Sequence, residues 1–252
     1  DPDQSVLCLS VSIGNLSDEP ALFIDNCAMT LPLPDHLSEL EEVTGRWAYE
    51  FQTERRSIGR AAYVRENWTG RSSHHMNPTL TLLEKATSAT HGDALGVHLG
   101  WSGNHQMRIE SLADGRRMLQ AGELLRPGEI ALAPGAHYTS PSLYLCHSSA
   151  GQNGLTRQWH QMIRREFIAS QNPVSTRRPV QLNTWEALYF GVDEPSVLAL
   201  MDQAATLGIE RFVLDDGWFL GRTDDQRALG DWEVDPQKFP NGLTPVIEAC
   251  HD

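Results

Sequence analysis

The residues best suited to chemistry lie in the last third of the sequence. Leu214-Asp215-Asp216-Gly217-Trp218-Phe219 places two consecutive carboxylates at the end of an apolar run. An ionised carboxylate is an acceptor with two oxygens, so it can bridge neighbouring hydroxyls of a polyol such as a sugar ring. Successive side chains of a strand point to opposite faces, which places adjacent carboxylates poorly for flanking one reacting bond and better for gripping hydroxyls. The other role open to either Asp is capping the turn that follows. Trp185, expected at the end of the preceding strand, supplies a flat apolar face for the C–H side of such a ring and one N–H donor at its edge. Packing between domains is its alternative, and Trp218 divides between pocket wall and core.

Other chemistries lack their residues. His74 and His75 are adjacent, with no HExxH or HxH spacing, and read as ordering a loop rather than binding a metal. Asp224, Asp225, Asp231 and Asp235 lack the spacing and central glycine of a calcium loop. There is no Gly-rich phosphate loop and no GxSxG elbow, and no cofactor is implied. The 33 Asp and Glu outnumber the 20 Lys and Arg, giving a net charge of -13, which repels nucleic acid and anionic lipid. No apolar run is long enough to span a bilayer. Cys8, Cys27, Cys146 and Cys250 are scattered without a CxxC pair, which suits a reducing, cytoplasmic setting. The sequons at Asn15 and Asn67 are weak signals.

The elements that must position these groups come in two textures. Up to about residue 150, short alternating runs broken by Gly, Pro, Asn and Ser predict an antiparallel β-sandwich. Val6–Ile13 reads as one strand with one buried face, as does Leu95–Trp101; Met107–Leu112 and Ser142–Cys146 are further strands. Arg126-Pro127-Gly128-Glu129 and Ala133-Pro134-Gly135 read as turns. Leu155, Trp159, Met162, Ile163 and Phe167 recur at helical spacing and predict a closing helix near 154–170. The Pro-rich polar stretch from Gln171 to Pro179 divides a first domain, 1–172, from a second, 173–252. There, Pro179–Trp185 predicts a strand and Asp193-Glu194-Pro195 a helix cap. Val197, Met201, Ala204 and Ala205 form that helix's buried face, Gly208 stops it, and Ile209–Leu214 is a buried parallel strand. One βαβ unit does not distinguish a barrel from an open sheet.

The motifs at these strand ends carry a resemblance. Asn183-Thr184-Trp185-Glu186-Ala187, then Leu214–Phe219, Gly230-Asp231-Trp232 and Lys238-Phe239-Pro240-Asn241-Gly242-Leu243 resemble glycoside hydrolase family 36. Gly45-Arg46-Trp47, Arg71–Pro78 and Ser102-Gly103-Asn104 resemble the family's sandwich motifs, in the same order. The resemblance implies a β-sandwich leading into the start of a (β/α)8 TIM barrel. It implies retaining hydrolysis of α-galactosides such as melibiose or raffinose, with Asp215 and Asp216 binding galactose hydroxyls. It further implies a homo-oligomer, dimer or tetramer, in which Trp47 reaches the active site of a neighbouring subunit; a buried sandwich tryptophan is the alternative. A raffinose-synthase-like galactosyltransferase or an α-N-acetylgalactosaminidase shares the fold, and a noncatalytic sugar-binding or oligomerisation module remains open.

A retaining glycosidase needs two carboxyl groups about 5–5.5 Å apart. The family's nucleophile sits in a Lys-Trp-Asp motif, which does not occur here. The expectation is therefore a segment cut from a larger protein, with both catalytic carboxylates beyond Asp252 and none within it.

Overall fold

Two-residue periodicity in the first part of the chain produces two antiparallel sheets that share one core. The computed structural model describes residues 6–18, 21–168 and 178–251. The chain divides into two compact units, Asp1–Gln171 and Asn172–Asp252. Most of the Gln171–Pro179 stretch expected as a linker lies outside the described residues.

In the first unit a six-stranded sheet runs, edge to edge, Val6–Leu9, Leu143–Ser148, Ala94–Leu99, Thr79–Glu84, Leu37–Arg46 and Tyr49–Ser57. A four-stranded sheet runs Cys27–Leu33, Arg117–Glu123, His105–Ser111 and Tyr63–Asn67. Leu80, Leu82, Val97 and Leu99 from the first meet Met107, Ile109, Leu119 and Ala121 from the second, all 0–1% exposed. Burial of these alternating faces is the main force holding a sandwich together. Two short pairs, Leu22–Ile24 with Ile130–Leu132 and Ser12–Gly14 with His137–Thr139, enclose a smaller cluster around Ile24, Cys27, Leu125 and Leu132.

The expected single strand over Val6–Ile13 is two strands in different sheets. Val6–Leu9 pairs with Leu143–Cys146, whereas Ser12–Gly14 pairs with His137–Thr139. The switch is made at Val11, whose N–H donates to the Ser140 hydroxyl and whose carbonyl accepts from the Ser140 N–H. Leu7 and Val11, counted on the buried face, are 55% and 40% exposed. The Leu95–Trp101 run ends at Leu99, and Trp101 is exposed. Both predicted turns form, with Gly128 and Gly135 at positive φ. Asn15 and Asn67 are buried, and their amides donate to the carbonyls of Leu132 and of Arg71 and Gly103, so both sequons are turn-forming residues.

The helix spans Gly151–Met162 and continues as a wider π-helical turn over Ile163–Ile168. Leu155 and Trp159 pack on Leu83, Ala94 and Cys146. The sheet approaches so closely that a Cβ on Gly154 would meet the Ser148 hydroxyl at 1.9 Å. Ile163 and Phe167, expected on the packed face, stay over 40% exposed.

The second unit is a βαβ arrangement. Gln181–Asn183 and Arg211–Val213 pair in parallel, and helix Glu194–Thr206 lies between them in the chain. Asp193 caps that helix through the Ser196 N–H at 2.9 Å, Pro195 sits in its first turn, and Gly208 ends it at φ +77°. Val197, Met201 and Ala204 are buried as expected, whereas Ala205 is exposed. Val197 and Met201 pack with Val192, Phe239 and Val246, the last on helix Thr244–His251, which has no counterpart in the sequence reading. The second strand is three residues long and half-buried, with Arg211 exposed, so it is neither as long nor as buried as its apolar run predicts.

Candidate functional site

The acidic pair is held by the end of the neighbouring strand. Thr184 is 1% exposed; its N–H donates to the Val213 carbonyl, and its hydroxyl accepts from the Asp215 N–H at 2.9 Å. The Asn183 amide donates to Oδ2 of Asp215, and the same carboxylate's Oδ1 accepts from the Asp216 N–H at 2.7 Å. Thus the two strand ends are cross-linked by side chains at and just beyond their last paired residues.

Asp216 is held differently. Arg222 grips both its oxygens, at 2.8 and 2.7 Å, and the Gly217 N–H donates to its Oδ1. The hydrogen bonds from Arg222 hold the Asp216 carboxyl below the usual carboxylate range; burial opposes them, while the Gly217 N–H and the charges of Arg222 and Lys238 reinforce them. Both carboxylates therefore cap local turns, and both still line a groove.

That groove, of about 410 Å³, is lined by Leu214, Asp215, Asp216, Trp218, Leu229 and Trp232, with Val213 and Phe219. Trp218 stacks nearly parallel on Trp232, with centroids 6.4 Å apart and planes at 22°. Trp232 is 65% and Leu229 72% exposed. Carboxylate acceptors beside a flat aromatic wall form a surface that can take a ring with hydroxyls on one side and C–H groups on the other.

Trp185 does not end the strand. The strand stops at Asn183, whose side-chain oxygen accepts the Trp185 N–H at 2.8 Å, and Trp185 opens the single turn Trp185–Leu188. Its half-buried ring lies edge-on to Tyr189 and Phe190, with centroids at 5.2 and 4.9 Å, rather than in the groove lining. Tyr189 follows at φ 47°, a left-handed conformation that costs a non-glycine residue about 1–3 kcal/mol.

Trp47 belongs to the first unit. It forms, with Ala48, the two-residue loop between strands Leu37–Arg46 and Tyr49–Ser57, and it is 80% exposed. Tyr49 and Phe51 beside it are 56% and 79% exposed, so the alternative of a buried sandwich tryptophan is overturned. Gly45 makes this hairpin possible at φ +146°, where a Cβ would meet the Tyr49 carbonyl at 2.5 Å.

Sequence reasoning missed Arg222 and Lys238. The available signal was a cation inside the carboxylate-rich run from Asp215 to Asp235, Arg222, and another three residues beyond it, Lys238. His74 and His75 lie with ring centroids 5.2 Å apart, and among the described residues no group of three His, Cys, Asp or Glu is arranged to hold a metal ion.

Residues 1–133 match the model of the glycosyl hydrolase family 36 N-terminal domain, and residues 137–252 match that of melibiase. The alpha-galactosidase of Escherichia coli is 47% identical over 224 residues, which is 89% of this chain and 31% of that protein. Alpha-galactosidase 1 of Pediococcus pentosaceus is 34% identical over 250 residues, 99% of this chain and 34% of that protein. The crystal structure of the alpha-galactosidase from Lactobacillus brevis superposes with a TM-score of 0.85 at 34% identity, covering 99% of this chain and 34% of that one. A variant of the alpha-galactosidase AgaA from Geobacillus stearothermophilus, solved in complex with raffinose, superposes at 0.80 with 30% identity, covering 98% of this chain and 34% of that one. The chain thus spans about a third of the length of these relatives. The chain runs from the family's N-terminal β-sandwich into the start of its catalytic barrel. The chain belongs to glycoside hydrolase family 36.

Proposed function

We propose that this chain is the sandwich and early-barrel portion of a retaining α-galactosidase that removes terminal α-linked galactose from oligosaccharides such as melibiose or raffinose. The observation that carries this reading is the groove in which Asp215 and Asp216, beyond the end of a parallel strand, face Trp218 and Trp232. Active sites of barrels form at that end of the strands. The two carboxylates serve as acceptors for galactose hydroxyls. They are not the catalytic pair, because they are consecutive and already committed to fixed donors. The catalytic carboxylates belong to later barrel strands of the whole protein.

Trp185 contributes an indole edge to the same strand-end region, and Trp47 serves the site of a neighbouring subunit in a dimer or tetramer. Its 80% exposure at a hairpin tip supports the latter role. A reducing, cytoplasmic compartment suits cysteines that are all free, two buried and two exposed.

The test is to purify the full-length protein and follow release of galactose from melibiose and raffinose, with free galactose as inhibitor. Hydrolysis with galactose as a competitive inhibitor is expected. Turnover of α-glucosides in preference to α-galactosides would overturn the reading.

A further inference from the structure

The acidic pair is backed by two cations, the buried Arg222 and the half-buried Lys238. Arg222 has a side chain 5% exposed, and its Nε–H and one terminal N–H donate to Oδ1 and Oδ2 of Asp216 at 2.8 and 2.7 Å. Its other terminal nitrogen donates to the Arg227 carbonyl at 2.6 Å. The guanidinium lies over the rings of Phe190 and Phe219, 5.3 and 5.7 Å from their centroids. Lys238 donates from Nζ to the carbonyls of Phe190, Gly217 and Arg222 at 2.9, 2.6 and 3.0 Å, which uses all three of its N–H groups. It therefore ties together the turn after Trp185, the turn after Asp216 and the loop carrying Arg222.

A carboxylate offers about four lone-pair sites. Arg222 takes one on each oxygen of Asp216 and the Gly217 N–H takes a second on Oδ1, which among the described residues leaves a free site on Oδ2. Asp215 has two such sites left, because among the described residues it accepts only from Asn183 and the Asp216 N–H. We infer that Arg222 is a positioning residue for the sugar site, whose planar fork sets the plane of the Asp216 carboxylate so that its one spare acceptor position serves a substrate hydroxyl. The inference rests on reading Asp215 and Asp216 as hydroxyl acceptors. A planar fork meeting a carboxylate through two parallel bonds fixes both tilt and rotation; an ammonium group supplies the charge without the geometry.

The arrangement carries a pH signature. The charged groups around Asp216 are its chain neighbour Asp215, Arg222 and Lys238, with Asp224 and Asp225 facing Arg222 from the following loop. Arg222 keeps Asp216 ionised at lower pH than an ordinary carboxyl, so its removal raises the pH at which Asp216 takes up a proton. The acid limb of galactose binding then moves to higher pH.

The experiment uses the full-length enzyme and measures galactose inhibition, KM and kcat across the acid limb for Arg222→Gln, Arg222→Lys, Asp216→Asn and the double variant. Arg222→Gln is expected to weaken galactose inhibition on the order of ten- to a hundredfold, the range for a charge-assisted hydrogen bond, with KM affected more than kcat. Arg222→Lys returns the acid limb toward its original position while affinity stays reduced. In the Asp216→Asn background, Arg222→Gln adds little, because the two act as one unit. A folded Arg222→Gln enzyme with unchanged galactose inhibition and pH limb would overturn the inference. So would effects that add in full in the double variant, which pairs two amides and provides the readout if Arg222→Gln alone does not fold. Unchanged galactose inhibition in both Asp215→Asn and Asp216→Asn overturns the sugar site itself, and the positioning role with it.

Discussion

Asn183 ends the first of the two parallel strands and Asp215 stands just beyond the end of the second, and the amide of the first donates to the carboxylate of the second. This bond, with the Thr184 hydroxyl accepting from the Asp215 N–H, locks one strand end to the other before any ligand arrives. A preorganised acceptor costs little ordering when substrate binds.

The first prediction follows from how differently the two carboxylates are held. In the full-length enzyme Asp215→Asn removes one charge from hydroxyl contacts, and charge-assisted hydrogen bonds are worth roughly 1.5–3 kcal/mol. The expected loss is about one to two powers of ten in kcat/KM, with weaker galactose inhibition. Asp216→Asn should cost more, because the new amide N–H group faces the Arg222 donors. Azide should restore neither variant, since neither Asp is the nucleophile. Unchanged galactose affinity with azide-rescued turnover would sink the binding role.

Trp47 allows a cleaner separation of fold from function. At 80% exposure on a two-residue hairpin it supports no core, so Trp47→Ala should shift stability by less than about 0.5 kcal/mol in a denaturant titration. If it serves a neighbouring subunit, the same variant loses kcat/KM or dissociates, as gel filtration with light scattering would show. Full activity in an intact oligomer counts against that role.

The sandwich offers a test of packing. Gly122 lies in strand Arg117–Glu123, and a Cβ there would meet the Cys27 carbonyl at 2.5 Å and the Ala28 Cα at 2.9 Å across the ladder. Because these are backbone atoms, Gly122→Ala should destabilise by about 1–3 kcal/mol, the usual cost of overpacking. Leu82→Ala, at 0% exposure, should cost roughly 2–5 kcal/mol through the cavity it leaves. Urea midpoints of the two variants decide the matter.

Much of this was legible where the cause is local. Asp193, Pro195 and Gly208 mark their helix because cap and stop signals act over a few residues, and Val197, Met201 and Ala204 mark its buried face by period alone. Asp215 and Asp216 were legible as carboxylates following an apolar strand. The Val6–Ile13 run was misread because alternation does not report which partner strand each half chooses, and that choice is made by Ser140, far away in the chain. Trp185 was placed on a strand because nothing local reveals that the Asn183 side chain turns the backbone there. Arg222 stayed hidden for a similar reason: its pairing with Asp216 depends on the path of an irregular loop, which periodicity does not encode.

The last prediction concerns the 252-residue chain by itself. Hydrolysis with retention requires two carboxyl groups about 5–5.5 Å apart, one free to attack the anomeric carbon and one free to exchange a proton with the leaving oxygen. Asp216 is engaged on both oxygens by Arg222, which holds its carboxyl low and makes it a poor proton donor near neutrality. Asp215 is its immediate neighbour and is oriented by Asn183 and a backbone N–H, so the pair cannot stand on opposite sides of one bond. The purified chain is therefore expected to release no nitrophenol from an aryl α-galactoside above background, while the full-length protein does. Turnover by the 252-residue chain that is abolished by Asp215→Asn would place the chemistry in this groove after all. Turnover unaffected by that change would point to a contaminating enzyme or to another site on the chain, and repeating the assay after a second, orthogonal purification separates those two.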